Sequence, residues 1–246
     1  MVSLDCPKQS VIILFMRIAL TRYGLPQVVL FPVIIITAMA ICVLAGPPFL
    51  PAWAIVLIET ILAAKLVFCL SFFRDPVRTV PADKDVLLAP ADGTIADIET
   101  VQEDSFIGGK ALRIGIFLSV FNVHINRSPC DVKVEKIVYK KGLFKDARNP
   151  MAGKVNESND LRLVRTVRPY DKLVVRQISG AIARRIVCRV RQGDDLSGGE
   201  QFGMIKFGSR TELYMPAGGN LKLMVGVGEK VKAGVTILAR YGKCGD

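Results

Sequence analysis

The stretch Gly203-Met-Ile-Lys-Phe-Gly-Ser-Arg-Thr-Glu-Leu-Tyr-Met-Pro216 carries the pattern on which the fold assignment rests. Apolar residues alternate with other residues on both sides of Gly208, which predicts two short strands joined through that glycine. A Gly-Ser pair between strands is usually only a turn. However, the Ser209 hydroxyl lies close to the carbonyl that precedes it, and a glycine leaves that carbonyl uncrowded. The pattern therefore predicts β structure and leaves a structural and a chemical interpretation of Gly208-Ser209 open.

The chemical interpretation needs a base, because a serine hydroxyl is a poor nucleophile until a neighbouring group takes its proton. His124 is the one histidine of the chain, and Asp92 is a carboxylate candidate to orient it. Each has a structural alternative, since a lone histidine is more often structural and Asp-Gly is a common turn pair. Ser209, His124 and Asp92 are therefore candidate catalytic residues.

Three short segments carry a more specific pattern. They are Ala91-Asp-Gly93, Asn122-Val-His-Ile-Asn-Arg-Ser-Pro129 and Phe207-Gly-Ser-Arg210, in this order along the chain. With these segments the chain resembles the phosphatidylserine decarboxylases, specifically their short bacterial and archaeal branch. The resemblance extends from about Phe72 to the C-terminus.

The resemblance implies a proenzyme that cuts itself between Gly208 and Ser209. In this family the serine attacks the preceding carbonyl, the resulting ester eliminates, and the serine remnant becomes a covalent pyruvoyl group. That cofactor forms a Schiff base with the substrate amine and decarboxylates phosphatidylserine to phosphatidylethanolamine. The resemblance thus implies an anionic phospholipid substrate, and a large chain, 1–208, that stays associated with a small chain, 209–246, as a heterodimer.

The resemblance also assigns roles to Asp92 and His124, which match the aspartate and histidine that act with the serine, and it implies no metal. One position departs from the pattern of longer family members, which carry a second histidine three residues after the first. Here that position is Arg127. Either His124 serves both self-cleavage and decarboxylation, or one step uses another proton donor.

Composition places part of the chain in a membrane. Mean hydropathy is +0.38 although 22% of the residues are charged, so apolar and charged residues are segregated along the chain. The net charge of +11 suits anionic lipid or nucleic acid. The sequence lacks Gly-rich phosphate loops and basic stretches interleaved with aromatic residues, so we expect no nucleic-acid partner. Six scattered cysteines without a CxxC pair fit a reducing cytoplasm.

Two apolar segments are each long enough to cross the hydrocarbon of a bilayer, which takes about 20 residues. Val28–Ala45 carries no charge, and Ala52–Phe73 carries only Glu59 and Lys65. The connecting Gly46-Pro-Pro-Phe-Leu-Pro51 is short enough to predict a tight reversal. The two segments are therefore predicted to form a transmembrane helical hairpin.

Both ends of such a hairpin emerge on the same side of the membrane. Basic residues flank it on this side, and positive charge favours the cytoplasm: Lys8, Arg17, Arg22, Arg74, Arg78 and Lys84. The sequence thus predicts an interfacial segment at 1–26, a hairpin at 27–73 in the inner cell membrane, and a cytoplasmic β-rich catalytic domain at 74–246. A cleaved signal peptide is the alternative interpretation of the first span.

Internal repeats favour a particular β architecture for the catalytic domain. Ala89–Ile98 resembles Ser128–Ile137, and Gly193–Gly199 resembles Gly228–Gly234. Such repetition predicts paired β-hairpins in a quasi-symmetric, barrel-sandwich-like arrangement. Gly142–Val155 is predicted to be an irregular loop.

Two other functions remain open from the residues alone. A membrane-anchored Ser-Lys hydrolase would use Ser209 as nucleophile with Lys206 or Lys222 as base. A non-enzymatic carrier of the biotinyl or lipoyl kind is the second alternative, because the glycine-bounded repeat at 193–199 and 228–234 is similar to the repeat of those domains.

Overall fold

The computed structural model describes residues 20–149, 152–181, 185–206, 208–218 and 220–242. Most of the predicted interfacial segment lies outside this part of the chain. Three residues named in the sequence analysis also lie outside it: the basic residues Lys8 and Arg17, and Phe207 of the segment that contains Gly208-Ser209.

The N-terminal helices form the predicted hairpin. After a 3-10 turn at Arg22–Gly24, α1 spans Gln27–Ala45 and α2 spans Ala52–Phe72. Both helices are apolar on all sides, leave most of their surface exposed, and are long and apolar enough to cross a membrane. Their outer ends meet where the Thr21 amide donates to the Phe73 carbonyl at 2.9 Å. The two ends of the hairpin therefore lie next to each other.

The rest of the described chain is almost entirely β structure, as predicted. The two strands around Gly208 are confirmed as β10 and β11. The strands are β1 Val86–Leu88, β2 Gly93–Glu103, β3 Gly109–Leu118, β4 Ile125–Arg127, β5 Val132–Lys140, β6 Ser158–Arg165, β7 Lys172–Ser179, β8 Ile186–Cys188, β9 Asp195–Leu196, β10 Gln201–Ile205, β11 Ser209–Pro216, β12 Leu221–Leu223, β13 Lys230–Val231 and β14 Ile237–Tyr241.

One short helix, α3, interrupts the strands at Ala152–Val155. The prediction of an irregular loop at Gly142–Val155 was wrong for this last turn. The turn is closed by the Asn156 amide, which donates to the Ala152 carbonyl at 2.9 Å. The Asn156 side chain in turn donates to the Lys145 and Ser179 carbonyls, so it ties the end of the loop to β7.

The strands form three antiparallel sheets whose order reveals two related halves. The large sheet has the order β13-β2-β3-β11-β7-β6-β5-β9, and the small sheets have the orders β1-β14-β12 and β4-β10-β8. The strands of the two halves correspond one to one, and corresponding strands have corresponding neighbours in the sheets. In order, β1, β2, β3, β11, β12, β13 and β14 correspond to β4, β5, β6, β7, β8, β9 and β10. We call 86–118 with 209–241 the first repeat and 125–205 the second repeat.

The predicted motif pairs occupy matching places in these repeats. The Leu88 amide donates to the Pro129 carbonyl at 2.7 Å, and the Arg127 amide donates to the Pro90 carbonyl at 3.0 Å, so the motifs before β2 and β5 bind each other reciprocally. The glycine-bounded motifs supply β13, which pairs with β2, and β9, which pairs with β5.

One face of the large sheet forms the main core. Its central strands bury Ile114, Ile116 and Leu118 from β3 against Leu213 and Met215 from β11. Burial of each such side chain stabilises the fold by about 1.5–3 kcal/mol. This core fixes the start of β11, where the chain returns from the second repeat to the first.

A second, smaller core joins the hairpin to the β-rich part of the chain. Cys69, Phe72 and Phe73 at the end of α2 pack with Met204 of β10. The hairpin therefore packs directly against the strand that leads to Gly208.

Candidate active site

Ser209 is the first residue of β11 and is completely buried. It lies in register with Leu118 of β3 on one side and with Ser179 of β7 on the other. Within the described part of the chain its Oγ has no hydrogen-bond partner. A buried hydroxyl is normally paired. The backbone is thus fixed on both sides while the hydroxyl stays available for chemistry.

The carbonyl that precedes Ser209 belongs to a residue in a glycine-type conformation. Gly208 has φ +62°, in the left-handed region. Gly180, which follows β7, approaches so closely that a Cβ added there would lie 2.3 Å from the Gly208 carbonyl oxygen. The carbonyl is therefore held against a position that only glycine can occupy without displacing it.

His124 stands next to this peptide and is also completely buried. Its Nδ1 lies 2.9 Å from the Asn122 carbonyl oxygen. Because a carbonyl only accepts, this contact places the imidazole proton on Nδ1 and leaves Nε2 as an acceptor. The Gly208 amide donates to Nε2 at 3.4 Å, a long contact that nevertheless puts the basic nitrogen at the Gly208-Ser209 step.

The surroundings of His124 keep it neutral. Burial lowers the pKa of the imidazole to about 4, the Asn122 contact opposes this shift, and the positive charge of Arg74 adds to it. The Phe72 ring, with its centroid 4.4 Å from the imidazole centroid, forms one apolar wall. At neutral pH His124 is therefore able to accept a proton.

Asp92 is buried but is not joined to His124 or Ser209 by a hydrogen bond or ion pair within the described residues. One carboxylate oxygen accepts from the Ala233 amide at 2.7 Å, and the other binds Arg78 at 2.8 Å. The structure therefore brings Ser209 and His124 together and places Asp92 in the bend directly before β2.

Arg127, at the position of the expected second histidine, has a structural role. It donates to the Gly199 carbonyl at 3.0 Å and to Asp75 at 3.3 Å. Asp75 also accepts from the Gln201 side chain. Arg127 thus ties the segment that follows α2 to the second repeat.

The lysines of the Ser-Lys alternative do not reach Ser209. Lys206 is buried and donates to Gln27 Oε1 at 2.9 Å. Lys222 lies on β12, in register with Arg240 of β14 in a small sheet. Neither lysine has a hydrogen bond to Ser209 in the described structure, so no Ser-Lys dyad is assembled.

The sequence analysis missed a buried ionic network directly after Ser209. Arg210 and Glu212 are both completely buried, on the face of β11 opposite the main core. Arg210 donates to both oxygens of Asp97, at 2.7 and 2.6 Å, and to Glu212 at 2.8 Å, while Arg113 donates to Asp97 at 3.2 Å. Removing one member of a buried ion pair costs about 3–5 kcal/mol. The network therefore locks β11 to β2 and β3.

A chain of side-chain amides, also missed, lies on the core face of the sheet. Asn126 donates to Thr211 at 3.1 Å, Gln177 donates to Asn126 at 2.9 Å, and Asn159 donates to Gln177 at 3.0 Å. Thr211 is two residues after Ser209 and so shares its face of the strand. The only sequence signal was the alternation of polar residues along β11.

Comparisons with known proteins identify the family of this chain. A family model described as phosphatidylserine decarboxylase matches residues 66–239. Three similar proteins each carry the name phosphatidylserine decarboxylase proenzyme. The protein of Desulfotalea psychrophila is 46% identical over 173 residues, which are 70% of this chain and 79% of the relative. That of Carboxydothermus hydrogenoformans is 42% identical, also over 173 residues that make up 70% of this chain and 79% of the relative. That of Nitrosomonas eutropha is 43% identical over 192 residues, 78% of this chain and 82% of the relative. The chain belongs to the phosphatidylserine decarboxylase family.

Proposed function

We propose that this protein decarboxylates phosphatidylserine to phosphatidylethanolamine after cutting itself between Gly208 and Ser209. One observation carries the proposal: an unpaired, buried Ser209 hydroxyl adjoins a left-handed Gly208 whose amide contacts the unprotonated nitrogen of His124. This is the arrangement that attack of a serine on its own preceding carbonyl requires.

In the cleavage step, Ser209 Oγ attacks the Gly208 carbonyl carbon while His124 Nε2 takes the hydroxyl proton. The C–N bond breaks, the Ser209 nitrogen takes up a proton, and the peptide becomes an ester. Loss of the Ser209 α-proton then expels the Gly208 carboxylate and leaves a dehydroalanine end. Tautomerisation and hydrolysis by one water release ammonia and leave a pyruvoyl group. His124 is the proton carrier that the geometry supports.

The residues around Ser209 fit a pyruvoyl group at that position. The new chain end would remain the buried first residue of β11, between β3 and β7. A pyruvoyl ketone condenses with a substrate amine and withdraws electrons as carbon dioxide leaves. For that reaction His124 is positioned to return a proton to carbon, and Phe72 excludes water from one side of the imidazole.

Asp92 is proposed as a positioning residue for this chemistry. It binds Arg78 and the Ala233 amide, and so it holds the motif before β2. That motif binds Arg127, three residues after His124, through the Pro90 carbonyl.

The two chains are proposed to stay together as a heterodimer. β11 of the small chain lies inside the large sheet, hydrogen-bonded on both edges to large-chain strands, and β13 pairs with β2. Separation would expose the main core and break these ladders. Cleavage therefore changes the chemistry at the start of β11 without requiring the sheet to open.

The hairpin is proposed to anchor the catalytic domain to the cytoplasmic face of the inner membrane. The basic residues Arg74 and Arg78 follow α2 directly, and positive flanks favour the cytoplasm. A diacyl lipid stays in the membrane, so a domain held at this surface meets its substrate in two dimensions.

The test compares Ser209→Ala with Ser179→Ala. Ser179 is also completely buried and faces Ser209 in register, but its hydroxyl donates to the Glu157 carbonyl at 3.2 Å. The wild type and Ser179→Ala should give two bands on a denaturing gel, whereas Ser209→Ala should give one band and no decarboxylation. Mass spectrometry should show that the small chain is lighter, by the mass of one ammonia molecule, than the same chain with an N-terminal serine. An uncut wild-type protein that decarboxylates the lipid would refute the proposal.

A further inference from the structure

Lys206 is a buried cation without a counter-ion. It is only 6% exposed, and its Nζ donates to one neutral acceptor, Gln27 Oε1, at 2.9 Å. No carboxylate of the described residues lies within 4 Å of it. Burial and the like charge of Arg185 lower its pKa. A buried charge is costly unless it is paired, so this lysine indicates an anionic ligand.

The buried Arg165 shows how this protein satisfies a cation structurally. Arg165 donates to the carbonyls of Lys84, Arg168 and Pro169, and its guanidinium stacks on the Tyr241 ring at 4.0 Å. Its charge is thus spread over three carbonyls and an aromatic face. Lys206 has none of this compensation.

The position of Lys206 connects the reacting peptide to the membrane. The residue before it and the second residue after it bind His124: the Ile205 amide donates to the His124 carbonyl at 3.2 Å, and the Gly208 amide donates to Nε2 at 3.4 Å. Its own partner, Gln27, is the first residue of α1. The ammonium therefore lies between the proposed active site and the start of a membrane-spanning helix.

A second cation lies on the α2 side of the same histidine. Arg74 donates to the Ser71 and Phe121 carbonyls, at 2.6 and 2.7 Å, and its charge lowers the pKa of His124. No carboxylate of the described residues pairs with it. The α2 side of His124 is thus positively charged.

We propose that Lys206 binds the phosphodiester of the phospholipid headgroup, an inference that rests on the proposed function. Phosphatidylserine carries two anionic groups, its carboxylate and its phosphodiester. A cation on the carboxylate would stabilise the ground state that must lose its charge as carbon dioxide, and would slow the reaction. The phosphodiester persists from substrate to product and lies at the membrane surface, where Lys206 meets α1.

The test separates ligand binding from docking of the hairpin. Lys206→Met removes the cation, Lys206→Arg retains it, and Gln27→Leu removes the docking contact while keeping the lysine. Binding of dihexanoyl phosphatidylethanolamine, which has the phosphodiester but no carboxylate, is measured by calorimetry in detergent micelles. A lost charge-assisted hydrogen bond corresponds to a rise in Kd of about tenfold to a hundredfold for Lys206→Met. Lys206→Arg and Gln27→Leu should each stay within about threefold of the wild type.

Decarboxylation of phosphatidylserine in phosphatidylcholine vesicles gives the second readout. Lys206→Met should raise KM by a similar factor with a much smaller change in kcat, and self-cleavage on a gel should show that each variant folds. The proposal is overturned if Lys206→Met leaves the Kd of phosphatidylethanolamine unchanged, or if Gln27→Leu reproduces the loss. A cut wild type that binds phosphatidylethanolamine but does not decarboxylate phosphatidylserine would refute the proposed function and leave this binding site standing.

Discussion

The two repeats of the catalytic domain share one framework but differ in how the chain runs through them. The second repeat is continuous, and a short turn at 166–171 joins β6 to β7. In the first repeat the equivalent strands, β3 and β11, are not joined directly. The chain leaves at Leu118, builds the whole second repeat, and returns at Ser209.

This difference locates the chemistry. The crossing out of the first repeat ends at His124, and the crossing back ends at Gly208. Because β3 and β11 are neighbours in the sheet, the two crossings lie beside each other. The repeats supply a rigid framework, and the proposed reacting groups, His124 and Ser209, lie where the first repeat is interrupted. The predictions below test this division between framework and crossings.

The largest effect is expected at Gly180, a residue of the second repeat that packs against the peptide proposed to be cut. In Gly180→Ala the new Cβ would lie 2.3 Å from the Gly208 carbonyl oxygen, so the carbonyl must move. Displacing a reacting group by about 1 Å costs on the order of 100-fold in rate. Time courses of cleavage on denaturing gels should show this loss.

Gly109→Ala is the matched control for that variant. A Cβ at Gly109 meets no atom within 4 Å, and its backbone is not left-handed. This variant should cut at the wild-type rate. Equal rates for the two variants would show that close packing at the crossing does not matter for cleavage.

Asp92 and Asp131 give the next comparison, because they occupy matching positions in the two repeats. Asp92 accepts from the Ala233 amide, and Asp131 accepts from the Gly198 amide, both at 2.7 Å. Their partners differ in exposure: the Arg78 side chain is 11% exposed and the Lys84 side chain is 64% exposed.

Asp92→Asn should therefore destabilise the protein more than Asp131→Asn. Asp92→Asn leaves the buried guanidinium of Arg78 without its counter-ion, at a cost of about 3 kcal/mol. Asp131→Asn removes the counter-ion of the solvated Lys84, which costs about 1 kcal/mol or less. Denaturant unfolding in a Ser209→Ala background measures both without cleavage. With Ser209 intact, only Asp92→Asn should slow cleavage. Equal slowing by both variants would contradict a positioning role specific to Asp92.

The acid sensitivity of His124 is the third test. Its pKa is about 4 in the folded protein, below the ordinary value of 6.5, so the unfolded chain binds the proton more readily. The stability that the neutral imidazole contributes is complete above pH 6.5 and is lost as the pH falls toward 4. Over this window the loss is about 3 kcal/mol.

Comparing Ser209→Ala with Ser209→Ala/His124→Gln isolates this contribution, because neither protein cuts itself and all carboxylates are shared. The single variant should lose stability more steeply between pH 6.5 and 4 than the double variant. Parallel curves would show that His124 is not buried as neutral imidazole.

Sequence predicted the framework better than the contacts at the crossings. The hairpin followed from charge-free runs, and the two strands around Gly208 followed from alternation. Motif similarity even matched Asp92 with Asp131. Yet the partner of Asp92 is Ala233, which is distant in sequence, and the partner of His124 is a backbone carbonyl, which no side-chain pattern displays.

The ionic network escaped prediction for a related reason. Alternation along β11 correctly separates Arg210 and Glu212 from the apolar residues, but polar residues on one face of a strand ordinarily face solvent. Here that face is buried, and charged side chains of β2 and β3 pair with Arg210 and Glu212. Which strands become neighbours depends on the interruption of the first repeat, and no local pattern reports it.

The smallest expected effect tests the equivalence of the repeats at their outer turns. Gly193 and Gly228 open the two glycine-bounded motifs, with φ +95° and +89°, and a Cβ at either meets no atom within 4 Å. Gly193→Ala and Gly228→Ala should each therefore cost only the left-handed strain of a non-glycine residue, about 1–2 kcal/mol. Thermal unfolding in the Ser209→Ala background measures both. Equal losses with unchanged cleavage in the Ser209 protein would place these turns in the framework. A difference larger than about 1 kcal/mol would show that the repeats are not energetically equivalent, because no packing contact distinguishes the two sites.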